Sequence, residues 1–144
     1  MGLLQVATNT VTSAVSSVTL TGIDSDDVYM VAVNNVHTSA DSEFYFRVTK
    51  SGTADTTANY DYASKVLNAV GFSNSSVTND TKTHLENIST TANNELANGI
   101  FYLYNFNSSS EYSFYTYEQS CRNISGQLSA PTGGGVHTVA SASN

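Results

Sequence analysis

The sequence contains few of the residues that cross-link, kink or charge a protein. Cys121 and Pro131 are its only cysteine and proline, and it has no tryptophan. A single cysteine excludes an intrachain disulfide, and a single proline excludes a proline-rich stalk. Charged residues make up 12% of the chain, about half of the usual share. We therefore expect one domain, residues 1–144, that is held together by apolar burial and backbone hydrogen bonds.

Basic residues are especially scarce. Five lysine and arginine residues stand against 12 aspartate and glutamate residues, which gives a net charge of −7. The five are scattered along the chain and form no patch, which argues against nucleic acid or an anionic membrane as a partner. The first residues lack the basic region and the apolar run of a signal peptide. We therefore expect a protein that is made in a cytoplasm and is not exported by the usual route.

Short apolar segments alternate with polar turn signals, and no segment shows sustained helical periodicity. This pattern predicts an all-β fold, an antiparallel β-sandwich that is jelly-roll-like and has long polar loops. Residues 60–70 fit either a strand or a single helical turn, and residues 71–82 are predicted to be a loop. The run at residues 28–33 is continuously apolar, which predicts a strand buried on both faces. The other predicted strands are residues 17–23, 44–50 and 83–88.

The stretch "GIFYLYNFNSSSEYSFYTYEQ", residues 99–119, concentrates the aromatic residues of the chain. Residues 100–106 and 112–117 are predicted to be the two strands of one hairpin, joined by a polar connection. Both faces of this hairpin carry apolar side chains. Because the second face of a sheet in a small sandwich normally meets water, we expect another subunit to cover it. The alternative is a large core within one domain.

Tyrosine suits a partly wet interface, because the ring packs while the hydroxyl tolerates water. Alternation places Phe101 and Leu103 on one face of the first strand, with Tyr102 and Tyr104 on the other. We expect the subunit interface to include Tyr102, Tyr104, Phe106, Tyr115 and Tyr117. The expected assembly is a homo-oligomer, and a trimer is favoured.

The tail of the chain reads "SAPTGGGVHTVASASN". Thr132–Gly135 is predicted to be a flexible turn, and the residues after it have too little apolar content for a closing strand. We therefore expect residues 131–144 to be extended or incomplete. The tail then either reaches a neighbouring subunit or continues in a natural chain that runs past Asn144.

No arrangement of residues in the sequence carries catalytic chemistry. His37, His84 and His137 are predicted to lie in polar loops or weak strands, and no nucleophile elbow is present. The histidines lack the spacing of a metal site. The acidic run Asp24–Asp27 lacks the later Gly and Glu of a calcium loop, and Glu111 and Glu118 flank a strand without the Trp platform of a sugar-cleaving groove. We expect no enzyme activity, cofactor or metal.

Four phrases of the sequence resemble a known group of proteins. "VTLTGIDSDDVYMVAVNNV", "FYFRVTKSGTADTTANYDYAS", "FYLYNFNSSSEYSFYTYE" and "GGGVHTVASAS" are similar to small virion structural proteins of tailed bacteriophages of marine and cyanobacterial hosts. The resemblance covers most of the chain and includes no catalytic signature. Proteins of this group continue beyond the Gly-rich stretch into a last pair of strands, and this chain stops short of it.

The resemblance implies a β-sandwich subunit of a phage particle, assembled in the host cytoplasm and located in the virion. It implies a capsid decoration or head-fibre subunit that binds itself and other particle proteins. The alternative is a tail-fibre or receptor-binding carbohydrate-binding module, whose exposed tyrosines would stack on sugars. The absence of tryptophan weighs against this alternative.

Overall fold

The computed structural model describes residues 3–25, 27–39, 42–88, 96–123 and 125–143. These residues contain ten strands and no helix, so the predicted all-β fold is confirmed. The strands are β1 Tyr29–Val36, β2 Ser42–Phe46, β3 Thr49–Lys50, β4 Thr53–Ala54, β5 Tyr60–Asn68, β6 Gly71–Asp80, β7 Thr83–Ile88, β8 Ala97–Tyr104, β9 Ser113–Arg122 and β10 Leu128–His137.

Six of the strands form one large antiparallel sheet, in the order β1-β8-β9-β10-β5-β6. Strands β2 and β7 pair in a small second sheet, and β3 and β4 form a short hairpin. Phe46 of β2 packs edge-on against two rings of the large sheet, with its centroid 6.0 Å from that of Phe101 and 4.8 Å from that of Tyr115. The small sheet therefore covers one face of the large sheet, as in a β-sandwich. We call the covered face the inner face and the opposite one the outer face.

The alternation of side chains along β9 shows how the core forms. Its residues are alternately buried and exposed from Ser113 to Arg122, which is the period-two pattern of a strand in the middle of a sandwich. Tyr115 and Tyr117 point inward and join Phe101 and Leu103 in the main core cluster. Each fully buried Leu or Phe side chain of this kind contributes roughly 1.5–3 kcal/mol.

The Gly-rich stretch Gly133–Gly135 lies inside the central strand β10, which pairs with β9 and β5 over most of its length. The prediction of a flexible turn there is wrong. A Cβ atom at Gly133 or Gly135 would overlap the carbonyl oxygens of Ala63 or Asp61 on β5. The glycines are therefore needed because the two backbones lie too close together for any side chain.

Three other predictions are corrected by the structure. Residues 71–82 are predicted as a loop, yet most of them form β6, a polar edge strand paired with β5. Residues 17–23 contain no strand. The continuous strand predicted at 44–50 is interrupted after Phe46.

The remaining predicted strands are present. Residues 60–70 contain a strand, β5, and residues 83–88 form β7 as predicted. The run at 28–33 becomes β1, but it lies at the edge of the sheet with alternately half-buried and exposed residues. It is therefore not buried on both faces. The aromatic hairpin is confirmed as the antiparallel pair β8 and β9.

Candidate functional site

The register of the aromatic hairpin determines which side chains share a face. Phe101 lies opposite Tyr117 and Leu103 opposite Tyr115, and these four side chains point to the inner face. Tyr102 lies opposite Thr116, and Tyr104 lies opposite Phe114 on the outer face. The hairpin thus has apolar side chains on both faces. Among the described residues, those of its inner face are buried, whereas those of its outer face stay partly exposed.

The outer face carries a group of exposed apolar side chains on β1, β8 and β9. Met30, Ile100, Tyr102 and Phe114 are 42%, 43%, 42% and 46% exposed. Met30 lies opposite Tyr102 across β1 and β8, so the group is continuous across neighbouring strands. We define the outer apolar patch as Met30, Ala32, Ile100, Tyr102, Tyr104 and Phe114. A sheet face that meets water normally alternates to polar residues, and a continuous apolar patch is typical of an interaction site.

Register and burial divide the five residues predicted to form the subunit interface into two groups, one on the outer face and one in the core. Tyr102 and Tyr104 belong to the outer apolar patch. Phe106, Tyr115 and Tyr117 are only 5%, 2% and 3% exposed, and all three lie in the core of their own chain. Contact of any of the five with another subunit stays a prediction, but a partner that docks on the outer face reaches only Tyr102 and Tyr104.

Phe106 lies in the core, and not on the outer face, because of the turn that follows β8. Alternation along the first strand places it beside Tyr102 and Tyr104, but β8 ends at Tyr104. Asn105 has a φ of 59°, a left-handed conformation that breaks the alternation. The Phe106 carbonyl accepts a 2.7 Å hydrogen bond from the backbone N–H of Ser143. The turn therefore directs Phe106 into the core.

The interface prediction did not include Met30, Ile100 and Phe114. Alternation places Ile100 beside Tyr102, so strand periodicity alone identifies Ile100. Met30 joins the patch only through the pairing of β1 with β8, two strands that are far apart in sequence. No local pattern reveals such a pairing.

A second cluster of polar groups joins the end of β10 to the loop after β4. The imidazole Nε2 of His137 lies 2.9 Å from Oδ2 of Asp55. The Tyr60 hydroxyl donates a 2.9 Å hydrogen bond to the Asp55 carbonyl and accepts one of 3.1 Å from the Val48 N–H. His137 is the last residue of β10 and is buried, so it lies neither in a loop nor in a weak strand.

The electrostatics of this cluster favour an ionised carboxylate. Burial by itself raises the pKa of Asp55, but hydrogen bonds from the hydroxyl and the N–H of Thr57, together with His137, hold that pKa well below its ordinary value. Lys50 Nζ lies 3.7 Å from the same carboxylate. Burial raises the pKa of Tyr60 to about 12. Tyr60 and His137 are buried, and Asp55 directly follows the β3–β4 hairpin. We interpret the cluster as a structural clamp between that hairpin and β10.

The acidic run near residue 24 forms a turn that is closed by its own side chains. The Ser25 hydroxyl donates a 2.7 Å hydrogen bond to Asp27, and it lies 2.9 Å from the Tyr29 hydroxyl. Asp26 lies outside the described residues. Across the described ranges, no group of three or more His, Cys, Asp or Glu side chains is placed to hold a metal ion. Those ranges also hold no helix of the length and apolar character that crossing a membrane requires.

Comparison with known proteins yields no relative from which a function can be transferred. No family model matches the chain, and no curated protein and no solved structure matches it.

Proposed function

We propose that the protein is a structural subunit of a bacteriophage particle, a capsid decoration or head-fibre subunit that works by self-association and by docking on other particle proteins. We further propose that its sandwich is of the jelly-roll type. The proposal rests on the outer apolar patch, with the resemblance of the sequence to virion structural proteins as its second support. It assigns no catalytic residue and no cofactor.

The patch carries the proposal because it leaves large apolar side chains in water. Met30, Ile100, Tyr102 and Phe114 are each about two-fifths exposed or more. The first three lie on the paired strands β1 and β8, and Phe114 on β9 joins them through Tyr104. Removing such surface from water is worth roughly 25 cal/mol per Å². Covering the patch with a second copy, by a symmetric contact of the kind that builds homo-oligomers, stabilises the assembly without any change in the subunit fold.

Two measurements test the proposal. Sedimentation velocity of the purified chain gives its state of association, and we expect a symmetric oligomer. Antibodies raised against the chain, applied to phage particles made by the genome that encodes it, give its location by immunogold electron microscopy. We expect gold on the heads of the particles. Unlabelled particles that contain no copy of the chain by mass spectrometry would overturn the proposal.

A tail-fibre or receptor-binding module that recognises carbohydrate is the second candidate. The observation that favours it is a shallow open depression of about 400 Å³ on the large sheet, lined by polar side chains that include Lys65, Asn74, Ser76 and Thr132. Amide, ammonium and hydroxyl groups are suited to bonding sugar hydroxyls. A glycan array of host surface sugars discriminates between the candidates. Specific binding that is lost in Asn74→Ala favours the carbohydrate-binding module.

A further inference from the structure

The N-terminal segment of the chain is exposed to solvent along its length. Residues 3–22 are all exposed and contain no helix or strand. We call residues 3–23 the N-terminal arm. Its large apolar side chains are 39–87% exposed. They are Leu3, Leu4, Val6, Val11, Val15, Val18 and Leu20.

The arm leaves the sandwich from a fixed point. Ile23 packs against the main core cluster. Directly after it, the Tyr29 hydroxyl accepts hydrogen bonds of 3.3 Å and 3.2 Å from the backbone N–H groups of Asp24 and Ser25. The arm also folds back on itself, because a Cβ atom built at Gly22 would lie 3.4 Å from Cγ1 of Val6. The exit of the arm is thus held by packing and hydrogen bonds, although its large apolar side chains stay 39–87% exposed.

Strand β1 offers an unpaired sheet edge beside this exit. Among the described strands, β1 pairs only with β8, through a regular register from Tyr29 to Val33. Alternate residues of an edge strand direct their N–H and C=O groups away from the sheet. Natural proteins protect such edges with charged residues, proline or bulges. β1 has no charged residue and no proline, and its irregularity begins only after Val33.

The sequence of the arm suits this edge. Val18 and Leu20 alternate with Thr19 and Thr21, which is the pattern of a strand with one apolar face. Residues 3–23 contain no charged side chain, and neither does β1. Two copies with a net charge of −7 each repel one another. A contact between two uncharged segments brings them together without adding like charges at the interface.

The exposed surface area of the chain is larger than that expected for a compact monomer of the same mass. The chain exposes 8477 Å², whereas a compact monomer of 15.3 kDa exposes about 7,150 Å². The excess is about 1,300 Å², and one partner in a standard stable interface buries about 800 Å². The chain therefore exposes enough surface for a stable contact between subunits.

We infer that the arm of one copy adds as a strand to the β1 edge of a second copy, with Val18 and Leu20 extending an apolar face of the neighbouring sheet. The backbone groups of β1 supply hydrogen bonds for this pairing, as in other cases of strand addition. The inference rests on the proposed self-association and specifies the segment that carries it out.

The test compares the full chain with variants of the arm by sedimentation velocity. In Val18→Asp/Leu20→Asp the arm carries two buried charges when it is docked, so we expect self-association to weaken by roughly 100-fold or more. Deletion of residues 3–20 should have the same effect. The matched control is Ser73→Asp/Thr78→Asp, which adds the same two charges to exposed positions of strand β6 at the opposite edge. The control should associate like the full chain, and circular dichroism should show that all variants are folded.

Cross-linking identifies the site at which the arm docks. Leu20→Cys and Met30→Cys are prepared as two separate proteins, each of which also contains the buried Cys121. They are then mixed and treated with a short bismaleimide. We expect a linked pair that contains one chain of each variant, and little product from either variant alone.

The outcomes distinguish failure of the inference about the arm from failure of the proposed function. If the full chain associates and the arm variants associate equally well, the inference is wrong while self-association stands. If the full chain is a monomer at every concentration, both fail. If the double variant Leu20→Cys/Met30→Cys links within a single chain, and the mixture gives no linked pair, the arm covers its own β1 edge and the inference is again wrong.

Discussion

Tyr115 lies directly across from Gly135 in the centre of the large sheet, and its ring occupies the space where a side chain at position 135 would stand. A Cβ atom built at Gly135 would lie 2.5 Å from the Tyr115 hydroxyl oxygen and 2.7 Å from Cε1. The missing side chain on β10 thus makes room for a large one on β9. The tyrosine in turn covers a backbone that glycine leaves bare.

This relationship predicts that Gly135→Ala is strongly destabilising. The added methyl group meets both the Tyr115 ring and the backbone of β5, so the strands must move apart. We expect a loss of roughly 1–3 kcal/mol in the free energy of unfolding, the usual cost of overpacking a core. Urea denaturation monitored by circular dichroism measures it. Gly99→Ala is the control, because its Cβ atom would lie 3.3 Å from the nearest backbone atom, and its cost should be clearly smaller.

The Asp55–His137 pair predicts an acid-sensitive contribution to stability. The pKa of Asp55 is lower in the folded protein than in the unfolded chain, so its ionised form stabilises the fold. This contribution is complete above the ordinary pKa of the carboxyl group, near 3.8. It is lost as the pH falls from there toward the lower pKa of the folded state.

Asp55→Asn tests this contribution. The variant should lose roughly 1–3 kcal/mol at neutral pH, because an amide accepts weaker hydrogen bonds than a carboxylate. Its stability should also fall less steeply than that of the natural chain when the pH drops below 4. Urea titrations at a series of pH values give both quantities. Glu111→Gln, at an exposed carboxyl, is the control. Parallel pH curves for Asp55→Asn and the natural chain would contradict the role given to Asp55.

The two faces of the aromatic hairpin should respond differently to truncation. Leu103 is buried in the core, so Leu103→Ala should cost roughly 2–5 kcal/mol of folding stability. Ile100→Ser/Tyr102→Ser alters only the outer apolar patch and should leave the subunit folded. Its self-association should weaken, because interface aromatics often carry much of the binding energy. If circular dichroism shows that both variants unfold alike, the outer face belongs to the core and the patch is not an interface.

The hydrogen bonds at the exit of the arm predict a local effect of Tyr29→Phe. The variant lacks the hydroxyl that accepts from the N–H groups of Asp24 and Ser25. Hydrogen exchange at these two amides should become faster, while exchange in β9 and β10 should not change. Tyr45→Phe is a suitable control, since Tyr45 is an exposed tyrosine on β2. Equal exchange at both amides in the variant and the natural chain would show that the hydroxyl does not fix the arm.

The parts of the fold that follow from local alternation were predictable from the sequence. The aromatic hairpin is one example, because Phe101, Leu103, Tyr115 and Tyr117 alternate with more exposed positions on each strand. β10 was not predictable in this way. Its three glycines resemble a turn, and the reason for them is the close approach of β5 and the ring of Tyr115, which are distant in sequence.

The predictions for β6 and for residues 17–23 also differ from the structure, because neither outcome is determined by a local hydrophobic pattern. β6 consists mostly of small polar residues and meets water on much of its surface. Its sequence therefore lacks the apolar alternation that would predict a strand. Residues 17–23 have the pattern of a strand, yet none of the strands in the described part of the chain pairs with them. Of the candidate interface, Tyr102 and Tyr104 were predictable from alternation. Met30 was not, because its place depends on the pairing of β1 with β8.

The mass of the purified natural chain in solution shows directly whether the protein self-associates. Sedimentation velocity over a wide range of concentrations, together with native mass spectrometry, gives this mass without any substitution. We expect a discrete symmetric oligomer, and for a trimer the mass is three times the 15.3 kDa of the chain. A folded species that stays at 15.3 kDa at the highest concentration would show that the chain does not self-associate.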